Sequence, residues 1–468
     1  MPHAPTLQSF IAGRWIGQHG AQVLRSAIDG HELARTHEER LDFAEAIEHG
    51  RHQGISALQA LDFQQRAQRL KALALYLSER KEQLYALSHH SGATRADSWI
   101  DIEGGNSTLF TYASLGSREL PSGNIVHEGP AMPLSKLGTF AGTHILVPRG
   151  GLVVHINAFN FPIWGMLEKF APSFLAGMPC IVKPASATSY LTEAVVRLMD
   201  ESGLLPVGSL QLIIGSTGDL LDRLQGQDVV TFTGSADTAA KLRVNPNLIR
   251  HSVPFNAEAD SLNCAILAPD VSPDDEEFEL FIKEVAREMT TKAGQKCTAI
   301  RRAIVPAKHI DAVASRLRDR LRKVVVGDPS VEGVRMGALA SHDQHKDVSE
   351  RLESLLQSSD LLFGARDGFE PRGTNVSQGA FFAPTLLQAR DPHAEGGAHD
   401  IEAFGPVSTL MAYDDLDEAL VLAARGKGSL VASLITKDPH IAAKAIPVAA
   451  AWHGRLLVLD RESAAEST

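Results

Sequence analysis

The chain has 468 residues, 44% of them hydrophobic and 22% charged, a composition that excludes a disordered chain or a coiled coil and suits two or three globular domains. With 45 Lys and Arg against 56 Asp and Glu, the formal net charge is −11, which disfavours nucleic acid and anionic membrane surfaces as partners. The three cysteines form no CxxC pair, so we expect neither a disulfide framework nor a metal site. Without a leader pattern or a membrane-spanning run, the expected location is the cytoplasm.

The first 120 residues are predicted to be mostly helical, because leucines recur at helical spacing within positions 64–89. From Gly151 onwards, short apolar runs alternate with longer amphipathic stretches that end at Gly or Pro. These runs predict strands at 152–156, 181–183, 210–214 and 229–232. The stretches between them predict helices that open near 162, 190 and 219.

This alternation indicates the α/β class, with a parallel, doubly wound sheet. Ligands of such sheets bind at the carboxyl ends of the strands. The candidate positions are therefore 157–162, 183–185, 215–218 and 233–235. Because no GxGxxG fingerprint occurs, a nucleotide-binding function would depend on other contacts.

Cysteine supplies the first candidate for chemistry. Cys180 and Cys264 lie in apolar, strand-like runs and are expected to be core residues. Cys297 instead lies in a loop between a predicted helix and the predicted strand 299–305. Four basic residues flank it, and positive charge favours the nucleophilic thiolate; they are Lys292, Lys296, Arg301 and Arg302. The alternative is a loop cysteine with solvated basic neighbours.

Glu258 is the second candidate. It is a carboxylate between apolar positions, just before the predicted strand 264–267, where it can serve as a general base. The alternative is a helix cap or an ion-paired loop residue. The acidic run at 274–277 simply suits the start of a helix.

Seven short motifs occur in the order typical of the aldehyde dehydrogenase superfamily, which the chain resembles over nearly its whole length. They are NFP at 160–162, VKPA at 182–185, FTGS at 232–235, GQKC at 294–297, MG at 336–337, PT at 384–385 and EAFGP at 402–406. Two longer segments look like the branch that oxidises CoA-linked semialdehydes in aerobic aromatic degradation, namely EADSLN at 258–263 and KAGQKCTAIRR at 292–302. That branch includes the dehydrogenase half of PaaZ and a stand-alone enzyme of the benzoyl-CoA (box) pathway. Because no hydratase module follows, we expect the stand-alone form.

The resemblance implies a fold of two doubly wound α/β domains and a bridging β-hairpin. The cofactor-binding domain is expected at 1–125 and 150–258, and the hairpin, which pairs two subunits into a homodimer, at 126–149. The catalytic domain is expected at 259–435, with a C-terminal return segment and tail at 436–468.

The resemblance also implies the mechanism. The Cys297 thiolate attacks an aldehyde, the alkoxide is stabilised by the Asn160 amide and the Cys297 backbone N–H, and Glu258 activates the water that hydrolyses the thioester. Cofactor contacts are implied for Lys183, Ala185, Ser186, Gly234, Ser235, Glu402 and Phe404. Three competing classes are a catalytically inactive binding protein, a CoA-acylating dehydrogenase and a cysteine hydrolase. The presence of Cys297, Glu258 and Asn160 together, and of the ordered cofactor motifs, argues against them.

Three positions depart from the usual family pattern or decide the cofactor. The segment 259–262 reads ADSL where Leu-Gly-Gly-Lys is common, so the floor of the site should differ in shape. Ala239 replaces a usual Gly, which leaves less room beside a pyrophosphate. Ser186 stands where many NAD-preferring relatives have Glu, and with Lys183 it favours NADP while still admitting NAD. The alternative is that Ser186 only starts the turn into the next helix, with Thr188 as its cap.

Overall fold

The computed structural model describes residues 4–364 and 369–466. The chain divides into two compact units. The first consists of Met1–Arg25, Glu32–Ser88 and Ser98–Ala259, and the second of Ser26–His31, His89–Asp97 and Asp260–Thr468. The sequence-based boundaries assign 26–31 and 89–97 to the cofactor domain, whereas here both segments group with the second unit. No helix within the described ranges is long and apolar enough to span a membrane.

The N-terminal part of the first unit begins with strands rather than helices. They are β1 Ser9–Ile11, β2 Arg14–Ile16, β3 Gly20–Arg25 and β4 Glu32–His37. The helices that follow are α1 Phe43–His49, α2 Ile55–Gln59, α3 Phe63–Ser78, α4 Lys81–Ser88 and α5 Arg95–Arg118. The predicted helical stretch 64–89 is thus two helices, and a capping box between Asp62 and Gln65 fixes the start of α3.

A nested hairpin follows α5. Its four short strands are β5 Val126–His127, β6 Met132–Pro133, β7 Ala141–Gly142 and β8 Ile145–Leu146. β5 pairs with β8 and β6 with β7, both antiparallel. The four strands therefore form one hairpin inside another within the range 126–149.

The main sheet of the first unit confirms the four predicted strands and adds a fifth. They are β9 Val153–Ile156, β10 Cys180–Lys183, β11 Leu210–Leu212, β12 Val229–Thr233 and β13 Phe255–Glu258. The connecting helices are α6 Trp164–Leu175, α7 Ser189–Glu201, α8 Ala236–Arg243 and α9 Pro246–Arg250. The predicted helix at 219–224 is only the 3₁₀ turn Leu220–Arg223.

Strand order in this sheet is β13-β12-β9-β10-β11-β1-β2. The chain runs outward from β9 through β10 to β11, then returns to place β12 on the other side of β9. All pairings from β13 to β11 are parallel. The order therefore reverses between β9 and β12, and such a switch point is where open α/β sheets bind ligands.

The second unit contains a sheet in the order β16-β17-β18-β15-β14-β19-β20. Its strands are β14 Cys264–Leu267, β15 Arg302–Pro306, β16 Ser359–Phe363, β17 Thr385–Ala389, β18 Val407–Tyr413, β19 Ser429–Ile435 and β20 His453–Leu459. Its helices are α10 Glu276–Thr290, α11 Ile310–Leu321, α12 His342–Leu355, α13 Leu416–Ala424, α14 Pro439–Ala449 and α15 Arg461–Glu466. Of the strand pairs described in this sheet, the edge pair β16–β17 is antiparallel and the rest are parallel.

Each sheet is covered on both faces, which explains why its strands read as continuous apolar runs. In the first unit, Val154 and Ile156 of β9 pack into one cluster, whereas Cys180 and Val182 of β10 face another. In the second unit, Cys264 and Ile266 face one cluster and Ala265 and Leu267 the other. The strands are thereby held rigidly, and the loops at their carboxyl ends are free to carry polar side chains.

Candidate active site

Asn160 lies just beyond β9, at the switch point of the first sheet. The segment between β9 and α6 is fixed by Asp101 of α5, whose Oδ1 accepts the backbone N–H groups of Ile163 and Trp164 at 3.1 and 2.8 Å. Acidic oxygens satisfy otherwise unpaired N–H groups at a helix start. Asn160 itself is 6% exposed. The structure therefore places its amide on a firmly held backbone, as an oxyanion donor requires.

Glu258 is the last residue of β13, which the sequence did not predict. It pairs in register with Thr233 of β12, and its carbonyl accepts the Gly234 N–H at 3.2 Å. Its carboxylate is partly exposed and makes no hydrogen bond with any residue in 4–364 or 369–466. A strand end with an accessible carboxylate is neither a helix cap nor an ion-paired loop, and it suits activation of a water molecule.

Lys183, Ala185 and Ser186 lie at the end of β10 and directly after it. Burial lowers the pKa of Lys183, and its carbonyl accepts the N–H of Asn157 at 2.9 Å. Ser186 begins a 3₁₀ turn, Ser186–Thr188, that leads into α7. Its hydroxyl has no hydrogen-bond partner among the described residues. These three residues therefore lie at the carboxyl edge of the sheet, where ligands of such sheets bind.

The capping role predicted for Thr188 is wrong. Thr188 occupies the position before α7 but makes no side-chain cap hydrogen bond. Its hydroxyl instead donates to the Phe159 carbonyl at 3.0 Å. Thr188 thus ties the loop after β9 to the loop after β10. The other part of that alternative holds, because Ser186 does begin the turn into α7.

Gly234 and Ser235 join β12 to α8. The Ser235 hydroxyl caps α8 by accepting the Thr238 N–H at 3.3 Å, so the helix opens at the carboxyl edge of the sheet. Ala239, where the family usually has Gly, is buried within α8. A helix that starts at this edge presents backbone N–H groups to a phosphate.

Two polar side chains at the switch point have no hydrogen-bond partner among the described residues. Both polar atoms of the Asn157 amide and Oγ1 of Thr233 are buried and unpaired. They follow the in-register pair Ile156 and Phe232, so they lie side by side at the ends of β9 and β12. Buried polar groups normally have partners. Their position fits an edge that is completed by a polar ligand or by water.

The three cysteines differ in exposure as the sequence predicts. Cys180 and Cys264 are each 1% exposed, and burial raises the pKa of Cys180 to about 12 and also raises that of Cys264. Cys297 is partly exposed and lies in the loop between α10 and β15. The assignment of Cys180 and Cys264 to the core is confirmed, and Cys297 is the most exposed of the three thiols.

The backbone before Cys297 is unusual. Lys292, Ala293 and Gly294 have φ values of 54°, 51° and 69°, three consecutive residues in the left-handed region. This conformation costs about 1–2 kcal/mol for each residue with a side chain. A Cβ on Gly294 would clash with the carbonyl oxygen of Gly405. The GQKC and EAFGP motifs therefore meet through a backbone contact that only glycine permits.

Asn263, just before β14, holds the carbonyl of the candidate nucleophile. Its Nδ2 donates to the backbone oxygens of Cys297 and Ala299 at 2.8 and 3.0 Å. Its Oδ1 accepts the Ser261 hydroxyl at 2.7 Å and the Val431 N–H at 3.0 Å. Asn263 is fully buried. Ser261, in the segment 259–262 that departs from the usual family pattern, thus supports Asn263, which in turn holds the Cys297 carbonyl.

The four cations that flank Cys297 all have partners of their own. Lys292 Nζ donates to Ser91 Oγ at 2.9 Å, and Lys296 Nζ donates to both oxygens of Glu288 at 2.9 and 2.8 Å. Arg301 pairs with Glu402, and Arg302 donates to backbone carbonyls. Each of the four flanking charges therefore has hydrogen-bond partners within the protein.

Glu402 and Phe404 lie in the loop before β18. The Glu402 carboxylate accepts from Nε of Arg301 at 3.1 Å and from the N–H of Ser261 at 3.1 Å. Its side chain is 5% exposed, and burial raises its pKa. The carboxylate is therefore held by the protein on both oxygens.

Sequence reasoning missed the roles of Asn263 and Arg301. The sequence shows Asn263 only as part of a family segment and Arg301 only as a positive charge. The partners of Arg301 lie up to 104 positions away in the chain, so no local spacing could connect them. An Asn immediately before an apolar strand, where a buried polar group must find partners, was the one available signal.

The sequence matches the aldehyde dehydrogenase family over residues 15–452. A relative from Aromatoleum evansii, 3,4-dehydroadipyl-CoA semialdehyde dehydrogenase, is 42% identical over 464 residues, which cover 99% of this chain and 90% of the relative. The solved structure of betaine aldehyde dehydrogenase from Staphylococcus aureus aligns with a TM-score of 0.84 at 22% identity, over 97% of this chain and 86% of that one. HpcC from Thermus thermophilus gives a TM-score of 0.85 at 19% identity, over 97% and 85%. These likenesses confirm the predicted fold, and the chain belongs to the aldehyde dehydrogenase family.

Proposed function

We propose that this protein oxidises a CoA-linked semialdehyde to the carboxylic acid by way of a cysteine thioester. The observation that carries the proposal is the setting of Cys297: it is the one partly exposed thiol of three, and its carbonyl is held by Asn263. A nucleophile needs both access and a fixed position. Because the chain belongs to the aldehyde dehydrogenase family, the reaction is oxidation of an aldehyde.

The residues divide the reaction into two halves. In the first, the Cys297 sulfur bonds to the aldehyde carbon, and the Asn160 amide and the Cys297 N–H stabilise the alkoxide. Loss of hydride from that carbon leaves a thioester on Cys297. In the second half, Glu258 takes a proton from water, the hydroxide displaces the sulfur, and the acid and free thiol are released.

The hydride acceptor is proposed to be a nicotinamide dinucleotide. The first unit offers a place for it at the switch point, where the buried, unpaired polar atoms of Asn157 and Thr233 lie beside the capped start of α8. We propose that its ribose and phosphates contact residues at the neighbouring strand ends, and that the Glu402 carboxylate holds its nicotinamide ribose. When bound, the dinucleotide supplies the oxidising power for the first half-reaction. The residues proposed for the first set of contacts are Lys183, Ala185, Gly234 and Ser235, and those for the second are Glu402 with Phe404 beside it.

We propose NADP as the preferred dinucleotide, with NAD also accepted. The support is Ser186, whose hydroxyl has no partner in the described part of the chain and can donate to a 2′-phosphate. Lys183 adds a positive charge at the same strand end. A Glu at position 186 would repel that phosphate, and none is present.

The substrate proposal rests on the relative from Aromatoleum evansii, which is named for 3,4-dehydroadipyl-CoA semialdehyde and is 42% identical over nearly the whole chain. We therefore propose the same compound, in aerobic benzoate degradation by the box pathway. A semialdehyde of phenylacetate degradation, as used by the dehydrogenase half of PaaZ, is the competing substrate in the test.

The experiment measures formation of reduced dinucleotide by the purified protein. The substrates are free aliphatic aldehydes, 3,4-dehydroadipyl-CoA semialdehyde and the phenylacetate-pathway semialdehyde, each with NADP and with NAD. We expect the highest kcat/KM with 3,4-dehydroadipyl-CoA semialdehyde and NADP. Higher kcat/KM for a free aldehyde or for the phenylacetate-pathway compound would contradict the substrate proposal.

The same assay tests the nucleophile. Cys297→Ala should abolish turnover with no loss of thermal stability, because Cys297 lies outside the core. The matched control is Cys180→Ala, which should lower the melting temperature yet retain turnover, because Cys180 is buried. Turnover by Cys297→Ala would disprove the thioester mechanism.

A further inference from the structure

Arg301 joins the loop that carries Cys297 to the loop that carries Glu402. Its Nε donates to Glu402 Oε1 at 3.1 Å, its Nη1 to the Gly405 carbonyl at 2.8 Å and its Nη2 to the Lys296 carbonyl at 3.3 Å. One planar guanidinium thus bonds with all three of its nitrogens. Two of its partners, Glu402 and Gly405, lie in the loop that contains Gly405, and the third, Lys296, lies in the loop that contains Gly294.

The pair between Arg301 and Glu402 is buried, with 4% and 5% of the two side chains exposed. The guanidinium also lies over the Phe404 ring, with its carbon 5.2 Å from the ring centroid. The second oxygen of Glu402 accepts the N–H of Ser261. The carboxylate is consequently fixed in orientation as well as in place.

The neighbouring Arg302 shows what a purely structural arginine does here. It is fully buried and donates to the carbonyls of Leu262, Leu422 and Ala423, without a carboxylate partner among the described residues. Arg301 differs because it makes an ion pair with a residue of the proposed cofactor site. A buried ion pair is seldom a net source of stability compared with apolar packing, so stability alone does not account for it.

We propose that Arg301 is a positioning residue for aldehyde oxidation: it sets the Glu402 carboxylate for the nicotinamide ribose and fixes the Lys296 carbonyl next to Cys297. The inference rests on the proposed function, which supplies the roles of Glu402 and Cys297. It adds a residue that touches neither substrate nor dinucleotide. Lysine cannot replace it, because an ammonium group cannot direct three donors in one plane to three separate oxygens.

The pH dependence of dinucleotide binding distinguishes a positioning role of Arg301 from a purely structural one, because it reports the ionised state of Glu402. The charged groups that act on its carboxylate are Arg301 and Asp260, and burial raises its pKa whereas Arg301 lowers it. Removing the guanidinium leaves a buried carboxylate beside Asp260, which raises its pKa further. A protonated Glu402 is a poorer acceptor for ribose hydroxyls. Dinucleotide affinity of an Arg301 variant should therefore fall as the pH falls.

The experiment measures dinucleotide Kd by calorimetry for wild type, Arg301→Met, Arg301→Lys, Glu402→Gln and the double variant Arg301→Met/Glu402→Gln. NADP and NAD are both titrated, at about pH 6 and about pH 8.5. The matched control is Arg390→Met. Arg390 also bonds one carboxylate, Asp360, and several carbonyls, but none of these belongs to the proposed site.

We expect Kd to rise about tenfold or more in Arg301→Met and to rise less in Arg301→Lys. For NAD, whose phosphates do not titrate between about pH 6 and about pH 8.5, Kd should depend on pH in Arg301→Met but not in wild type. The double variant should bind no more than about twofold more weakly than Glu402→Gln, because Arg301 acts through Glu402. Arg390→Met should bind as wild type does. If Arg301→Met does not fold, the Arg301→Lys titration and its pH dependence decide.

Wild-type affinity in Arg301→Met, or in Arg301→Lys where only that variant folds, would overturn the inference while leaving the proposed function intact. So would a double variant whose effect is the product of the two single effects. Failure of the wild-type protein to bind either dinucleotide would overturn the proposed function itself, and the inference with it. The two failures are therefore distinguishable in one set of titrations.

Discussion

Glu258 is the residue whose setting best separates the two half-reactions. Its backbone is fixed within β13 by pairing with Thr233, whereas its carboxylate has no hydrogen-bond partner in the described ranges. A base that activates water needs this combination of a fixed anchor and an accessible oxygen. Asn160 and Cys297, by contrast, are proposed to act before water is required.

Glu258→Gln should therefore separate the steps. The first turnover should still release a burst of reduced dinucleotide, whereas steady turnover should fall by about 10²–10⁴-fold, because only thioester hydrolysis has lost its base. Stopped-flow absorbance followed by steady-state assay measures both phases. Equal loss of burst and steady rate would place Glu258 earlier in the reaction, for example in activating the thiol.

The proposed preference for NADP depends on Ser186. The variant Ser186→Glu introduces a carboxylate beside the expected 2′-phosphate, so the KM for NADP should rise about tenfold or more while the KM for NAD changes little. Kinetics with both dinucleotides provide the measurement. The control is Thr188→Val in the same turn, which should leave the ratio of the two KM values unchanged, because the Thr188 hydroxyl bonds to Phe159 within the protein. A wild-type preference for NAD, or an equal effect on both, would refute the NADP assignment.

The strained segment before Cys297 restricts which residues can occupy it. Gly294 must be glycine for two reasons, its positive φ and its contact with Gly405. Gly203, which follows α7, has a similar φ of 64° but open space around its Cβ position. Substitution of each glycine by alanine therefore separates the free-energy cost of backbone strain from that of the contact with Gly405.

Gly294→Ala should destabilise the protein by about 2–5 kcal/mol, since it adds a clash to the strain. Gly203→Ala should cost only about 1–2 kcal/mol, because strain alone remains. Chemical denaturation measures both free energies of unfolding. Similar losses in the two variants would show that the contact with Gly405 is unimportant.

The elements also show which parts of the fold a sequence can reveal. β9, β10 and β11 were predicted because they are almost wholly buried and read as apolar runs. β12 is only half-buried, but its sequence VVTFT is rich in β-branched residues. β13 was missed because its residues FNAE are partly exposed and show no such run. Two of the four N-terminal strands were missed for a related reason, since β2 has no buried residue and β3 is mostly exposed. The ion pair of Arg301 with Glu402 depends on chain segments 101 positions apart, which no local pattern reports.

At the scale of the whole molecule, the nested hairpin carries the largest group of exposed apolar side chains in the described part of the chain. They are Met132, Leu134, Leu137, Phe140, Ile145, Leu146 and Val147. Exposed apolar groups concentrated in one short segment usually mark a contact with another protein. We propose that the hairpin pairs with a second copy of the chain to give a homodimer.

Phe140→Glu should convert the dimer to a monomer, because the ring is 64% exposed in the single chain and a charge would have to be buried in the pair. Light scattering coupled to size-exclusion chromatography at micromolar concentration measures the mass. The control is Val421→Glu on α13, an exposed apolar residue outside the hairpin, which should remain a dimer. A wild-type monomer would contradict the proposal.

The backbone contact between Gly294 and Gly405 has a consequence for how this protein can be altered by recombination. The two glycines are far apart in sequence, yet neither loop can change its path without displacing the other, and Arg301 adds three bonds across the same junction. In a chimaera that takes 292–302 from one relative and 402–406 from another, each loop would pack against a loop with which it does not occur in its own parent. Exchanges between family members should therefore keep both segments from the same parent, even where every individual residue is compatible.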